Sequence, residues 1–397
     1  MAGALLTMAS TFGQTYFITL FGAQLRSTFS LSHGEFGFVY MVATLASAIT
    51  LVWAGQLADR MRLKTLGLSV TAGLMLATLF ISQANSWIWL VISLYMLRLF
   101  GQGMMSHVAM TAMARWFNAH RGRALSIASL GHAAGEAVLP GLAVAAMVYA
   151  GWRETWLMAA GVIGFVIIPV FYFLTAKERH RNTGVDETGG EGGVVHWTRR
   201  AVLKDWLFYA MLPGTLAPSF ITTVVFFHQA HLVHIKDWSM VMWSGFYPFF
   251  ALSTTVVSLI TGWAIDRWSA RQLLPVYLLP QVVAMVIFAY GESQFSGLAG
   301  MIAIGCTVGA AATMSGAVWA ELYGTRYLGS IKALTTAGAV LATAVGPGLS
   351  GYLMDKGINL ETILLVMGMY SVMISVVFVA LMPVMLSDRK STLNNQG

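Results

Sequence analysis

The sequence predicts an all-α membrane protein with twelve transmembrane helices arranged as two pseudo-symmetric six-helix bundles. Three observations predict it: a charge-poor composition, twelve long apolar runs, and motifs that recur 207 residues along the chain. Of 397 residues, 57% are hydrophobic and only 10% charged, where a soluble domain carries roughly a quarter charged. A mean hydropathy of +0.71 leaves too little polar surface to coat a globule in water. The net charge of +7 does not point to nucleic acid, because the basic residues sit in short segments between apolar runs. The single cysteine, Cys306, falls inside a run, which excludes an intrachain disulfide and a thiol metal cluster.

A span needs about 20 largely apolar residues. Candidate spans lie near 2–25, 34–57, 65–83, 87–114, 122–149, 154–176, 204–230, 240–264, 271–290, 296–320, 329–354 and 360–386. Continuous runs of this length mean helices; barrel strands would be about ten residues long and alternating. The first run lacks a basic leader and is too long for a cleavable signal, so it reads as a span. Eighteen of the 23 lysines and arginines fall in connections on one side, among them Arg60, Arg121, Arg267 and Lys332. Four (Arg26, Arg153, Lys236 and Lys356) fall on the other, and Arg98 lies within a span. This asymmetry makes both termini cytoplasmic and the span number even.

The longest connection, from Lys177 to Arg200, is Gly-rich and charged and reads as a cytoplasmic linker. The expected domains are residues 1–176, a linker 177–203, and residues 204–397. The stretch "VHWTRRAVLKDW" is expected to form a short interfacial helix with Trp197 at headgroup depth.

The halves superpose without gaps at a shift of 207. Gly55, Asp59, Arg60 and Lys64 fall on Gly262, Asp266, Arg267 and Arg271. The register holds far downstream, where Gly122, Gly131, Pro140 and Gly141 fall on Gly329, Gly338, Pro347 and Gly348. Parallel six-span repeats of this kind are known from secondary transporters.

On these residues the chain resembles the major facilitator superfamily over its whole length. "GQLADRMRLK" resembles the family's loop between spans two and three, roughly G-x-L-a-D-R-x-G-R-K. The chain keeps Gly55, Leu57, Asp59, Arg60 and Lys64 and departs at Arg62 and Leu63. "YMLRLFGQG" resembles the span-four motif with its intramembrane arginine, and "GHAAGEAVLPG" the span-five Gly/Pro motif. "ARWFNAHRGRALSIASLGHAAGEAVLP" is most similar to the monocarboxylate-porter and oxalate/formate-exchanger branch. Monocarboxylate porters usually carry an Asp and an Arg in span eight, and "YPFFALSTTVVSLITGW" has neither, which speaks against that specificity.

The resemblance implies alternating access, which requires latches that hold one state and release in the other. Gly55, Asp59, Arg60 and Lys64, with Gly262, Asp266, Arg267 and Arg271, are the gating candidates. Asp59 is expected at the start of span eleven near Gly329, and Asp266 at the start of span five near Gly122, each favoured by a helix dipole. The alternative is that these charges only anchor topology. Arg98 lies midway along span four, where a lone cation costs about 2.5–3.5 kcal/mol, so it needs a partner or a wet cavity. Glu136 lies at similar depth on span five with His132 one turn away. An Arg98–Glu136 pair is expected, either to exchange a proton as an anionic substrate engages Arg98 or as a purely structural pair.

Gln14, Tyr16 and His228 are further candidates for substrate contact, against a reading as helix-packing hydrogen-bonders. Pro140-Gly141 and Pro347-Gly348 suggest hinges or close packing near the outer ends of spans five and eleven, and Pro213 and Pro218 a gating bend in span seven. No Walker loop, dinucleotide fingerprint, zinc spacing or nucleophile constellation appears, so no cofactor, metal site, catalytic residue or enzyme activity is expected. The leading expectation is a secondary active symporter in the plasma (inner) membrane, moving a small organic anion such as a carboxylate with protons. A hydrophobic-compound efflux pump and a non-transporting receptor of the same fold are the rivals. The expected partners are a small-molecule substrate, the lipid bilayer and a proton gradient, with no nucleic acid, and the protein acting as a monomer.

Overall fold

The computed structural model describes residues 1–117, 121–176 and 197–386, with the backbone alone at Asp59, Ala114, Arg115, Arg121 and Gly122. The linker 177–196 lies outside the described residues. Every regular element among the described residues is helical.

The first apolar run is not one helix. It comprises α1 (Ala2–Ala9), a 3₁₀ turn over Ser10–Gly13, α2 (Thr15–Ile18), a second 3₁₀ turn over Thr19–Phe21, and α3 (Gly22–Phe29). Next come α4 (His33–Ala54), α5 (Leu57–Arg60), α6 (Leu63–Ser82) and α7 (Trp87–Met96). A π-helical segment, Leu97–Met105, carries α7 on into α8 (Ser106–Trp116). α9 (Arg121–Ala150), α10 (Trp152–Val162), a second π segment (Ile163–Ile167) and α11 (Ile168–Leu174) complete the first half. The second half holds α12 (Arg199–Val202), α13 (Trp206–Phe227), α14 (Gln229–Ile235), α15 (Met240–Ser244) and α16 (Tyr247–Trp268). It continues through α17 (Ala270–Leu273), α18 (Leu279–Tyr290), α19 (Gln294–Tyr323), α20 (Leu328–Asp355) and α21 (Leu360–Leu386).

Ten helical stretches among the described residues are long and apolar enough to cross a bilayer, and two shorter apolar ones, Ala2–Gly13 and Leu279–Tyr290, fall at expected spans one and nine. Both shortfalls have local causes. Span one breaks at Gln14, whose ψ of 149° is extended. Span nine starts late because α18 carries a proline, Pro280, in its first turn.

The repeat is written in the backbone as well as in the sequence. Ser30 (φ 52°) and Asp237 (φ 51°) both turn left-handed, and they stand 207 positions apart. Two residues on, Ser32 and Ser239 cap α4 and α15, accepting from the amides of Glu35 and Met242. The Glu35 side chain returns the bond to the Ser32 amide at 2.8 Å, closing a capping box. Upstream, Phe21 (φ −90°) and His228 (φ −95°) occupy equivalent breaks before α3 and α14. Span seven therefore breaks at His228, whereas α13 runs unbroken through Pro213 and Pro218. α9 and α20 likewise run through Pro140 and Pro347 without interruption.

Two compact units form. The first comprises Met1–Val185, Phe226–Ala251 and Pro347–Gly357; the second comprises Asp186–Val225, Leu252–Gly346 and Ile358–Gly397. In the first, the Trp156 ring packs on Phe17 and Phe21, and Phe36 stacks on Phe227 with centroids 5.1 Å apart. In the second, α18 packs on α19 and α21, and Gln281 donates to Ser371 Oγ at 3.0 Å. Trp197 is buried at 2% exposure, its ring on Tyr323 and its amide bonded to the Tyr323 carbonyl at 3.0 Å. α12 is a single turn capped by Thr198.

Lipid-solvated helices gain little from the hydrophobic effect, so close packing of small residues holds them together. Gly13 and Gly101 show this most clearly: a Cβ on either would stand about 2.6 Å from the other's Cα. Backbone cannot rotate out of the way as a side chain can. Gly101→Val is therefore expected to lower the melting temperature in detergent by the equivalent of about 3 kcal/mol or more. Gly161→Ala, at a position open for 4 Å around, should leave melting within about 0.5 kcal/mol of wild type.

Candidate functional site

The break at Gln14 leaves the end of a half-helix in mid-bundle, with its last carbonyls lacking helical donors. Arg98 answers one of them. Its Nη1 donates to the Gly13 carbonyl at 3.2 Å and to Thr15 Oγ1 at 3.3 Å, on either side of the break. The guanidinium also lies 5.4 Å from the centre of the Tyr40 ring, and Tyr40 shares a hydrogen bond with Thr15 at 2.5 Å. A cation at the carboxyl end of a helix is stabilised by about 0.3–2 kcal/mol. Arg98 sits in the π-helical segment, which faces Gly13 through Gly101. It is 2% exposed, and its Nε has no hydrogen-bond partner.

The expected Arg98–Glu136 pair does not form among the described residues. Arg98 is turned to the first span because the break offers it a carbonyl there. Glu136, 8% exposed on α9, makes no hydrogen bond or ion pair among the described residues, and it lies within electrostatic reach of Tyr16 and Tyr247. Its neighbour Gly135 packs on Met8 and Thr11 of the first span. His132 meets Ser10 Oγ at 3.5 Å, half-buried between α9 and the first span. Gln14 is half-buried at the break itself.

A polar hub closes the aromatic core around Tyr16. Gln229 is fully buried and uses all four of its hydrogen-bonding positions. Its Nε2 donates to the Tyr16 carbonyl at 2.8 Å and to Thr19 Oγ1 at 3.0 Å. Its Oε1 accepts from Trp243 Nε1 at 2.8 Å and from the Tyr247 hydroxyl at 2.7 Å. Thr19 in turn donates to the Phe226 carbonyl at 2.7 Å. Both broken spans are tied together here. The sequence alone favours His228 over the adjacent Gln229, because the break that makes Gln229 the bridge between the two spans is visible only in the backbone.

His228 itself is 3% exposed and bonded through Nε2 to Ser350 Oγ at 2.8 Å. The His33 ring lies 5.8 Å from it and 4.5 Å from His231. No group among the described residues could hold a metal ion with three His, Cys, Asp or Glu ligands. Next to this cluster, Asp355 Oδ2 accepts from the Gly34 amide at 2.9 Å and from Ser32 Oγ at 2.7 Å, an anion at the amino end of α4. Pro347 and Gly351 of α20 lie against Gly37 and Gly34 of α4, and a Cβ on Gly348 would stand 3.7 Å from the Gly37 carbonyl oxygen. Gly141 lies 4.0 Å, by the same measure, from the Ser244 carbonyl. Pro347-Gly348 is thus closely packed on α4, whereas Gly141 has room beside it.

The repeated loop residues have individual partners. The Gly55 carbonyl is 3.2 Å from His107 Nε2, and Lys64 Nζ lies 4.1 Å over the Tyr172 ring. Arg60 is exposed, the Asp59 side chain lies outside the described residues, and Gly122 is described in its backbone alone. In the second half, Arg271 pairs with Glu321 at 3.2 Å and donates to the Met385 carbonyl at 2.7 Å. Glu321 also accepts from the Ala270 amide at 2.7 Å, capping α17. Gly262 stands in open packing, 4.0 Å from Thr313 by a built Cβ, while Asp266 and Arg267 are exposed, Arg267 beside the Trp268 ring.

The second unit holds a cavity of about 380 Å³ between α13, α19 and α20, within the range of about 300–1,000 Å³ usual for small-molecule sites. Its wall is rich in serine and threonine and carries one charged side chain, Lys332. The sequence reading assigns Lys332 only to topology.

Discontinuous spans, a buried lone carboxyl and a half-helix end held by a cation define a polytopic helical bundle of transporter type. The sequence matches the Major Facilitator Superfamily over residues 3–297 and 249–397, and the chain belongs to that family. It is 25% identical over 160 residues to the uncharacterized MFS-type transporter YcxA of Bacillus subtilis (strain 168), a match spanning 40% of this chain and 38% of that one. The fold is similar to the crystal structure of a bacterial homolog of the human lysosomal transporter Spinster in an inward-facing, occupied conformation. That likeness has a TM-score of 0.71 at 15% identity and covers 96% of this chain and 95% of the other. It is equally similar to the nucleoside transporter NupG (TM-score 0.72, 13% identity, 96% and 98% covered). Family and fold neighbours are transporters rather than enzymes.

Replacing Gln229 by Leu removes four hydrogen bonds and strands the Trp243 and Tyr247 donors. At about 1 kcal/mol per bond, the variant is expected to lose roughly 2–4 kcal/mol of stability, read as a lower melting temperature in detergent. A change below about 0.5 kcal/mol would show that the hub does not hold the spans together.

Proposed function

We propose that the chain is a secondary active transporter that moves a small organic anion with protons. In this reading, twelve spans form two six-helix bundles, 1–176 and 204–397, joined by the linker 177–203, and transport proceeds by alternating access. The excess of Lys and Arg on one side supports cytoplasmic termini in the plasma membrane.

The observation that carries the reading is Glu136. An intramembrane carboxyl without a partner is costly and is by default a functional group. Lying beside two phenols and the broken first span, it binds or releases its proton only when those surroundings change, which is what coupling to alternating access requires. Lys332 supplies the positive charge that an organic anion needs, in a cavity of suitable size. Tyr16 and Gln14, at the break, and His132, one helical turn from the carboxyl, are the first-half candidates for substrate or proton contact. Asp355 on the α4 amino end acts as one latch. The loop residues Asp59, Arg60, Asp266 and Arg267 would serve at the opposite ends of spans two and eight.

Glu136→Gln mimics a permanently protonated carboxyl. In proteoliposomes tested with a panel of labelled small carboxylates, the variant is expected to lose uptake driven by an inward proton gradient and to retain counterflow exchange, which needs no net proton movement. Proton-driven uptake at the wild-type rate would remove Glu136 from coupling.

A further inference from the structure

The serine and threonine hydroxyls around Lys332 are not neutral decoration, because the fate of each proton decides what a ligand must bring. Five of them are already donated to the helix that carries them. Thr215 gives its proton to the Leu212 carbonyl at 3.1 Å, and Thr223 to the Ser219 carbonyl at 2.7 Å. On α19, Ser315 bonds to the Ala312 carbonyl at 3.1 Å. On α20, Thr335 and Thr343 bond to the carbonyls of Lys332 and Val340 at 3.1 and 2.8 Å. A hydroxyl has one proton and two lone pairs, so these five wall residues have acceptor capacity left and no proton to give. Thr222 Oγ1, also in the wall, is buried without a partner.

Lys332 is the complementary element. Its ammonium offers donors only, it lies about 3.4 Å from where a Cβ on Gly316 would stand, and it has no acidic partner among the described residues. Apolar wall is supplied by Leu216, Val308 and Trp319. Lys332 therefore asks for an anion, and the five committed hydroxyls ask for hydroxyl or amine donors, while the Ser219 and Thr336 hydroxyls, unbonded among the described residues, can donate in return. A plain fatty or short-chain carboxylate satisfies the first and leaves the acceptor oxygens unmatched. A neutral sugar satisfies the second and leaves the ammonium unmatched.

We infer that this cavity is a binding site for a polyhydroxylated carboxylate of the sugar-acid class, with the carboxylate on Lys332 and the ligand's hydroxyls donating to the threonine and serine oxygens. The inference rests on the organic-anion reading of the protein and narrows it. Trp319 in the wall provides an intrinsic fluorescence reporter.

Equilibrium binding to the full-length, detergent-purified protein tests it, using D-gluconate, hexanoate and myo-inositol as probes. Hexanoate keeps the chain length and the charge and lacks the hydroxyls; myo-inositol keeps the hydroxyls and lacks the charge. Gluconate is expected to bind roughly tenfold to a hundredfold more tightly than either. Lys332→Met is expected to bring gluconate down to the level of inositol, and Lys332→Arg to restore most of the difference. Hexanoate binding as tightly as gluconate to the wild type, or gluconate affinity unchanged in Lys332→Met, would overturn the assignment. Because the wild-type comparison needs no variant, a folding defect in Lys332→Met does not decide the matter. The assay also needs no proton gradient, so a failure of coupling at Glu136 leaves its outcome untouched.

Discussion

The first unit depends on one interaction: a guanidinium held against the carbonyl of a helix that stops in mid-bundle. A break in a span exposes backbone groups that lipid cannot solvate. Gly13 and Gly101 let the broken span and the π-helical segment approach backbone to backbone, which places Arg98 on the exposed end. Two costly features, a free carbonyl end and an intramembrane cation, offset each other. Neither would be tolerable alone.

What Arg98 does in the first span determines what remains for its neighbours. With its Nη1 engaged by Gly13 and Thr15 and its face near Tyr40, it does not neutralise Glu136. The carboxyl is left without an ion pair or hydrogen bond among the described residues, within electrostatic reach of the Tyr16 and Tyr247 phenols. At the other break, Gln229 satisfies both spans at once and seals the aromatic core. Packing closed around one span beside an uncompensated acid on the next is what the proposed proton coupling would draw on. In the second unit Lys332 is the one charged side chain of a hydroxyl-rich cavity wall, and in the proposed reading it meets the anionic solute.

Much of the architecture was legible in the sequence because it is written in long-range regularities. The 207-residue register predicted equivalent halves, and the backbone repeats it down to the left-handed turns at Ser30 and Asp237 and the serine caps beyond them. Local breaks were not legible. "STFGQTYFITLFG" is apolar enough to read as continuous helix, and a single glycine is tolerated in one. The depth of Arg98 announced that it needed a partner, but the partner was a carbonyl created by that unseen break, so Glu136 looked like the natural choice. Prolines gave no guide to the breaks: Pro213, Pro218, Pro140 and Pro347 sit inside continuous helices, while span seven breaks at a histidine. Lys332 was counted for its sign alone, since only the fold shows which hydroxyls surround it.

A pair of double-mutant cycles on melting stability tests the central claim most directly. Arg98→Met combined with Thr15→Val should show an interaction energy of about 0.5–1 kcal/mol or more, whereas Arg98→Met combined with Glu136→Gln should be additive within about 0.5 kcal/mol. The reverse result, strong coupling to Glu136 and none to Thr15, would mean that the guanidinium serves the carboxyl and that the broken span is held by something else.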